Sequence, residues 1–584
     1  MTRHGRDDDA LALYRTVVAD IAERRRTLTG IANQMAPYFR LLAARSATDP
    51  AATNDFFIAS QLLVRPGVAD TQAILARELS SGTNEGARLF RQATNLARDI
   101  ERARVEYARL GQLPAGDDVL LLRREAEARI DSLARQQTET VTALSAFPQF
   151  RAIEQASLTL PELQQMLTEG EVYAKTLVVG DGVYGFLADR GSAAVWSAAT
   201  DERALAVRVA ALRASIAVQE NGEIATYPFD ADAALALFGE LFGPVQQRMI
   251  AARHIIYEPD GPMLQLPISL LITGDTGLAA YRARLADPEA DAFDARELAF
   301  LGRRARTSTA VTPLAFRNTR RAAPSRAARE YFGAGDNLPV AAVPTRAATR
   351  SLSGGAFADD CHWPVSEWNK PIAPAELERA RSVIGGDRAT LMTRAAFTDT
   401  AVRSLASLTD YRVLHFATHG LVTAPRPDCP ARPALLTSFG GEGSDGLLTF
   451  EEIFDMRIDA DLVILSACDT AGAATVSATR EAGLTSGGGT ALDGLVRAFI
   501  GAGGRSVIAS HWPVPDDYAA TERLIGGLFG APPGTGVADA LWSAQSELMR
   551  DVRTSHPYYW AGFAIIGDGQ QVLVRGAPAT DTAR

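Results

Sequence analysis

The stretch YRVLHFATHG, residues 411–420, runs apolar through Phe416 and then breaks at Thr418, His419 and Gly420. A second stretch, DLVILSACDT at 461–470, does the same and ends at Ser466, Ala467, Cys468 and Asp469. Short, nearly continuous apolar runs bounded by turn residues are the mark of strands buried on both faces, as in a parallel sheet covered by helices. In such a sheet, ligands and catalytic groups gather in the crevice at the carboxyl ends of the strands. His419 and Cys468 each lie three residues past the apolar run, so both are expected to face one crevice.

Working outward, the segments around these two strands alternate in the same way. A helix is predicted over Pro374 to Ile384, a strand over Ala389 to Met392 and a helix over Ala396 to Leu405. After the second strand come a helix (Ala491 to Ala502), the strand Ser506 to Ser510, further helices and a last strand, Ala561 to Ile566. Upstream, Val172 to Val179 and Tyr184 to Ala188 read as strands split by the turn residues Gly180-Asp181-Gly182. Helices over Asp201 to Ile216 and Asp230 to Ile250 precede the strand His254 to Tyr257. Strands alternating with helices predict an α/β layer architecture. Residues 303–373, rich in Arg, Ala, Pro and Gly, read as a long irregular loop.

Residues 8 to about 165 read as helices, with apolar positions such as Leu11, Tyr14, Val18 and Ile21 at three- and four-residue spacing. The Arg-, Glu- and Ala-rich stretches Ala87 to Leu110 and Leu120 to Leu144 predict a helical hairpin or bundle. The first helix is similar to the last half of a tetratricopeptide-type repeat, but no second copy follows at a 34-residue step. A plain helical packing domain reads equally well. The expected division is a helical region (1–165), a first α/β half (166–373), a second half carrying both strand-end motifs (374–572) and a tail (573–584).

The composition narrows the function. With 47% hydrophobic residues among 584, the chain buries a sizeable core, and its net charge of −10 argues against a nucleic-acid or membrane-surface binder. No apolar run approaches the roughly 20 residues of a membrane span, and the residues MTRHGRDDDALALYRTVV lack the apolar run expected of a signal peptide. The three cysteines, Cys361, Cys429 and Cys468, form neither a disulfide framework nor a CxxC zinc pair. A reducing, cytoplasmic setting is expected, with neither metal nor cofactor. The two lysines, Lys175 and Lys370, in an otherwise arginine-based chain reflect a compositional bias.

A thiol with an ordinary pKa near 8.5 is mostly protonated at neutral pH, and a nearby imidazole takes its proton. The two residues are 49 apart (468 − 419), against about 50 for the caspase pattern of histidine before cysteine. Glycine at 420 permits close backbone approach, so that its N–H serves an oxyanion. His415 lies inside the apolar strand and reads as a core histidine. In an extended chain it would sit about 13 Å from His419, too far to share a metal ion. Cys361 and Cys429 stand in loop contexts without a catalytic partner, and the glycines of GAGGRS (501–506) follow a helix rather than a strand, the reverse of a dinucleotide loop.

HFATHG, LVILSACDT, AFIGAGGRSVIASHWPVPD and HPYYWAGFAIIGDG together resemble the CHAT peptidases, caspase-like domains found next to tetratricopeptide repeats. RHIIYEPDGPMLQLPISLL and EVYAKTLVVGDGVYGFLADR are similar to that family's N-terminal half, and the resemblance covers about residues 165 to 570. It implies a pseudo-duplicated α/β caspase-like sandwich, a mostly parallel sheet flanked by helices, preceded by the α-helical region. Carried over, His419 matches the family histidine and Cys468 the nucleophile, with the N–H groups of Gly420 and Cys468 as oxyanion donors. Ser510 to Asp517 matches the loop that walls the first substrate pocket. Within it, Trp512 to Asp516 is similar to a W-x-V-x-D stretch of separases, relatives that cut after arginine. Trp512, Asp516 and Asp469 are the candidate substrate-binding residues, although Asp469 and Asp516 also read as helix-initiating carboxylates.

The resemblance implies a cysteine endopeptidase acting on a protein substrate through a Cys–His dyad. It would be regulated through a protein partner at the helical region in a bacterial-type defence or signalling pathway. The competing reading is a catalytically silent CHAT scaffold, a protein-interaction module whose mark would be loss of either dyad residue.

Overall fold

The computed structural model describes residues 7–23, 32–63, 117–144, 147, 157–220, 223–340, 363–421, 433–440, 443–467, 494–515, 517–573 and 575, with scattered helical positions between 89 and 111. The strands are β1 (Glu171–Val179), β2 (Gly182–Ala188), β3 (Ala193–Asp201), β4 (Val218–Glu220), β5 (Glu223–Ala225), β6 (His254–Glu258), β7 (Arg306–Thr309) and β8 (Arg329–Asn337). They continue with β9 (Ala389–Arg394), β10 (Tyr411–Ala417), β11 (Gly420–Leu421), β12 (Ala434–Leu436), β13 (Leu447–Thr449), β14 (Leu462–Ser466), β15 (Ser506–Ser510) and β16 (Phe563–Ile566). Eleven of them form one sheet in the order β3-β2-β1-β6-β7-β16-β15-β14-β10-β8-β9. β2 runs antiparallel to both its neighbours and β16 antiparallel to β15, while the other pairs are parallel. A mostly parallel sheet flanked by helices is the α/β class that the alternation of segments predicts.

Side-chain alternation along each strand divides the core by face. Val172 and Ala174 of β1, Val413 of β10, Ile464 of β14 and Ile508 of β15 belong to a core that runs beneath both halves. It is closed by helices Glu202–Ile216, Ala231–Phe242, Ala520–Phe529 and Val537–Arg550. The other face has two cores. Leu414, Phe416, Val463 and Leu465 pack on helices Phe450–Asp455 and Leu495–Ala502. Tyr173, Leu177 and Ile256 pack on the N-terminal helices Ala32–Arg45 and Pro50–Leu62. Local caps start several of these helices. The Asp201 carboxylate accepts from Ala204 N–H at 2.8 Å, and Thr449 and Glu452 form a capping box.

The helical N-terminal region is docked on the sheet. Phe57 stacks on Phe186 of β2 at 5.0 Å, and Phe39 meets Phe56 edge-on at 5.2 Å. The buried Lys175 ammonium donates to Glu258 at 2.8 Å and to the Ser60 carbonyl at 3.4 Å, tying the helix Pro50–Leu62 to β1. The predicted helix Leu120 to Leu144 is present as Asp117–Leu144. Residues 573–584, the expected tail, are described only at Leu573 and Arg575 within that range.

The irregular reading of 303–373 is corrected by the structure. That stretch contains β7, the helix Pro313–Arg321 and β8. β8, of sequence REYFGAGDN, carries two glycines and ends in Asp336 and Asn337, so its hydropathy is too diluted to register as a buried strand. Gly335 is required there, since a Cβ at this position would stand 2.1 Å from the Ala417 carbonyl oxygen of neighbouring β10. β3 is a further strand beyond those predicted.

β7 and β16, paired through Thr309 and Ile566, join the strands ahead of β8 to the rest of the sheet. A buried ionic cluster ties the region together. The Arg320 guanidinium donates to Glu171 at 2.7 and 3.0 Å and to Asp568 at 2.7 Å, while His254 joins Glu171 at 3.1 Å and Ser308 at 2.9 Å. Burial alone would raise the Glu171 pKa, but the His254 hydrogen bond and the Arg320 guanidinium outweigh it and hold the carboxyl far below its usual range. A depressed carboxylate stabilises the fold above its unfolded pKa, about 4.3, and loses that contribution as pH falls toward the folded value. Glu171→Gln is therefore expected to lower stability by about 1–3 kcal/mol at pH 7. Unfolding curves taken from pH 7 downward should show the gap to wild type narrowing below about pH 4. A gap that stays constant over this range would refute the assignment.

Candidate active site

β10 and β14 are adjacent and parallel, with Ala417 opposite Ser466. Their ends therefore emerge side by side. Thr418 N–H donates to the Ser466 carbonyl at 3.3 Å, and its hydroxyl donates to the Leu436 carbonyl at 2.5 Å, which turns the chain out of the strand. His419 follows, partly buried, with Nε2 2.5 Å from the Lys370 carbonyl oxygen. A carbonyl only accepts, so this contact puts the proton on Nε2 and leaves the Nδ1 lone pair available as a base.

The next peptide is oriented by the small sheet β11-β12-β13. Leu436 N–H donates to the His419 carbonyl at 2.9 Å. The peptide is trans, so the Gly420 N–H points the opposite way, out of the edge of β11 that no other described strand pairs with. An N–H directed outward at a strand end beside a histidine is suited to a developing oxyanion.

The Lys370 carbonyl is held by its neighbours. Trp368 is buried, its indole N–H donating to the Thr437 carbonyl at 3.0 Å, and its own carbonyl accepts from Asn337 at the end of β8 at 2.9 Å. Trp368 packs with Leu421, Leu436 and Phe439 in a small separate core. Lys370 thus enters the site through its backbone, a contribution that its side chain does not signal.

On the cysteine strand, Ala467 is the last described residue, and its carbonyl accepts a short hydrogen bond from the Ser510 hydroxyl at the end of β15. Cys468 and Asp469 lie outside the described residues, as do Asp516, Cys361 and Cys429, so the structure gives no Cys468–His419 distance. By register, position 468 is two residues past Ser466, as 419 is two past Ala417.

The loop after β15 is tethered on several sides. His511 N–H donates to Gly562, and the His511 carbonyl accepts from Arg213 of the first half at 3.0 Å. The Trp512 indole donates to the Tyr558 carbonyl at 3.0 Å and its ring is only 2% exposed, placing it behind the loop in the large shared core. The Pro515 carbonyl accepts from Thr521 at 2.9 Å. Tyr518 and Ala519 then take left-handed backbone, φ 55° and 50°, to turn into the helix Ala520–Phe529. Burial, reinforced by the Arg213 charge, pushes the His511 imidazole down to about 3, so it stays neutral at physiological pH. Arg505 immediately precedes β15, at the opposite end from Ser510, and is paired with Asp459 at 2.7 Å, away from the crevice.

His415 is fully buried, as expected for a core histidine, and its Nδ1 bonds the Tyr331 hydroxyl at 2.9 Å. Its Nε2 faces the Glu376 carboxylate at 3.6 Å, and Glu376 in turn accepts from the Ser466 hydroxyl at 2.9 Å. Burial first, and the Glu376 charge second, push the Tyr331 hydroxyl well above its ordinary value, so it keeps its proton. Among the described residues no cluster of His, Cys, Asp and Glu is arranged to hold a metal ion. No described helix is long and apolar enough to cross a membrane.

The CHAT domain family model matches residues 231–568, more than half of the 584 residues. The chain belongs to the CHAT domain family. Its fold is a mostly parallel α/β sheet flanked by helices and preceded by a helical N-terminal region. Human tetratricopeptide repeat protein 28 is 30% identical over 200 residues, which covers 29% of this CHAT chain and 7% of that protein. The mouse protein of the same name is 29% identical over 203 residues, 29% of this chain and 8% of that one. The chain thus spans less than a tenth of the length of these relatives. Among solved structures, the Saccharomyces cerevisiae separase–securin complex aligns with 91% of this chain and 42% of that chain, at a TM-score of 0.38 and 8% identity.

Proposed function

We propose that this CHAT protein is a cysteine endopeptidase that cleaves a protein substrate with Cys468 as nucleophile and His419 as base. The observation that carries the reading is the end of β10. There His419 has its Nε2 proton committed to the Lys370 carbonyl, and the Gly420 N–H is aimed out of the β11 edge, level with the end of the cysteine strand.

In this reading His419 Nδ1 takes the thiol proton as Cys468 sulfur attacks the scissile carbonyl. The N–H groups of Gly420 and Cys468 hold the oxyanion. The C–N bond breaks as the imidazolium returns its proton to the leaving amine. Water, deprotonated by the same imidazole, then hydrolyses the thioester and frees the thiol. No step calls for a cofactor. Asp516 lines the first substrate pocket and Asp469 flanks the nucleophile, while Trp512 braces the pocket loop from behind. A regulatory protein engages the helical N-terminal region, in a cytoplasmic defence or signalling role.

The test is a peptide-substrate panel combined with an active-site thiol probe. Turnover that is lost when the probe labels Cys468 supports the peptidase. Labelling of Cys468 without turnover of any peptide would favour the silent scaffold.

A further inference from the structure

We propose that Glu376 is a positioning residue that yokes the histidine strand to the cysteine strand. The proposal rests on the Cys468–His419 reading above. Glu376 occupies the first turn of the helix Ala375–Ile384, where an acid ordinarily sits in solvent and favours the helix dipole. Here it is 4% exposed and turned inward. Its Oε2 accepts the Ser466 hydroxyl at 2.9 Å, two residues before Cys468, and the same oxygen lies 3.6 Å from His415 Nε2, four residues before His419.

The Ser466 hydroxyl donates to the carboxylate. His415 Nε2, 3.6 Å from the same oxygen, lies within ion-pair reach but makes no hydrogen bond among the described residues. His415 is held by Tyr331 at Nδ1. A buried carboxylate is costly unless satisfied, so the Ser466 hydrogen bond and the electrostatic approach to His415 favour one placement of the helix against the two strands. The covalent path completes the yoke. The Lys370 carbonyl, which holds His419, lies just ahead of the same helix, so one short segment touches both strand ends. The segment sets the separation and relative tilt of base and nucleophile without touching substrate.

The experiment compares Glu376→Leu, Glu376→Gln and Ser466→Ala in the full chain. It uses steady-state kinetics on a cleaved peptide and the rate of Cys468 alkylation by iodoacetamide, read by peptide mass spectrometry. Misplacement of a reacting group by about 1 Å costs on the order of 100-fold. Glu376→Leu and Ser466→Ala should accordingly lower kcat by about 10- to 100-fold with KM changed less than about twofold. Glu376→Gln, whose amide oxygen still accepts from Ser466, should recover most of the loss, and alkylation rates should follow the same order. Glutamine as slow as leucine, or Ser466→Ala at wild-type kcat, overturns the proposal. If Glu376→Leu does not fold, Ser466→Ala, which removes one oxygen atom, decides. A wild-type chain that cleaves no peptide sinks the peptidase reading alone, because alkylation still reports on Glu376. Equal alkylation of all variants then overturns the yoke.

Discussion

Replacing Cys468 by alanine is expected to lower peptide hydrolysis by about four orders of magnitude or more while leaving the fold intact. The loss is large because, in the proposed mechanism, the Cys468 thiolate forms the covalent intermediate. The fold should survive because the strand leading to Cys468 is fixed by backbone pairing to β10 and β15 and by the Ser466 and Ser510 hydroxyls. The check is hydrolysis of a fluorogenic peptide alongside thermal unfolding. Retained turnover with an unchanged melting curve would end the peptidase reading. Cys361→Ala and Cys429→Ala should both leave activity near wild type.

The second large effect concerns specificity. If Asp516 lines the first pocket, an arginine side chain there is held by a bidentate, charge-assisted hydrogen bond. Removing one partner of a desolvated charge pair costs about 2–5 kcal/mol, or roughly 30- to 4,000-fold. Asp516→Asn should therefore depress kcat/KM on arginyl substrates by that factor and leave leucyl substrates nearly unchanged. Aspartyl specificity would need a basic pocket, and Arg505 is committed to Asp459 at the start of β15. A panel varying only the residue before the scissile bond decides the matter. Preference for aspartyl peptides, or a variant equally slow on all, would show that the pocket belongs to other residues.

Much of this arrangement was legible in the sequence, for identifiable reasons. β10, β14 and β15 are buried on both faces, so each is a near-continuous apolar run, and their ends are marked by Thr418, Ser466 and Ser510. β8 was not legible, because its close approach to β10 demands glycine where a buried strand ordinarily shows an aliphatic side chain. The supporting residues of the site were hidden for a different reason. Lys370 acts through a carbonyl, which every residue possesses, and Glu376 is indistinguishable in sequence from an ordinary helix-initiating acid. Trp512 reads as a pocket wall, but its indole is spent on the Tyr558 carbonyl and its ring on the core.

The place of β8 in the sheet bears on how the chain can be divided. It precedes residue 374 in sequence yet lies between β10 and β9 in space, paired to both. A fragment cut at 374 would carry β9 and β10 with an empty slot between them, exposing two unpaired edges open to any passing strand. A cut ahead of Arg329 keeps that slot filled but exposes β16 along the edge where it meets β7. The strands ahead of Arg329 then act as an edge guard, and self-association on their removal is the behaviour to expect.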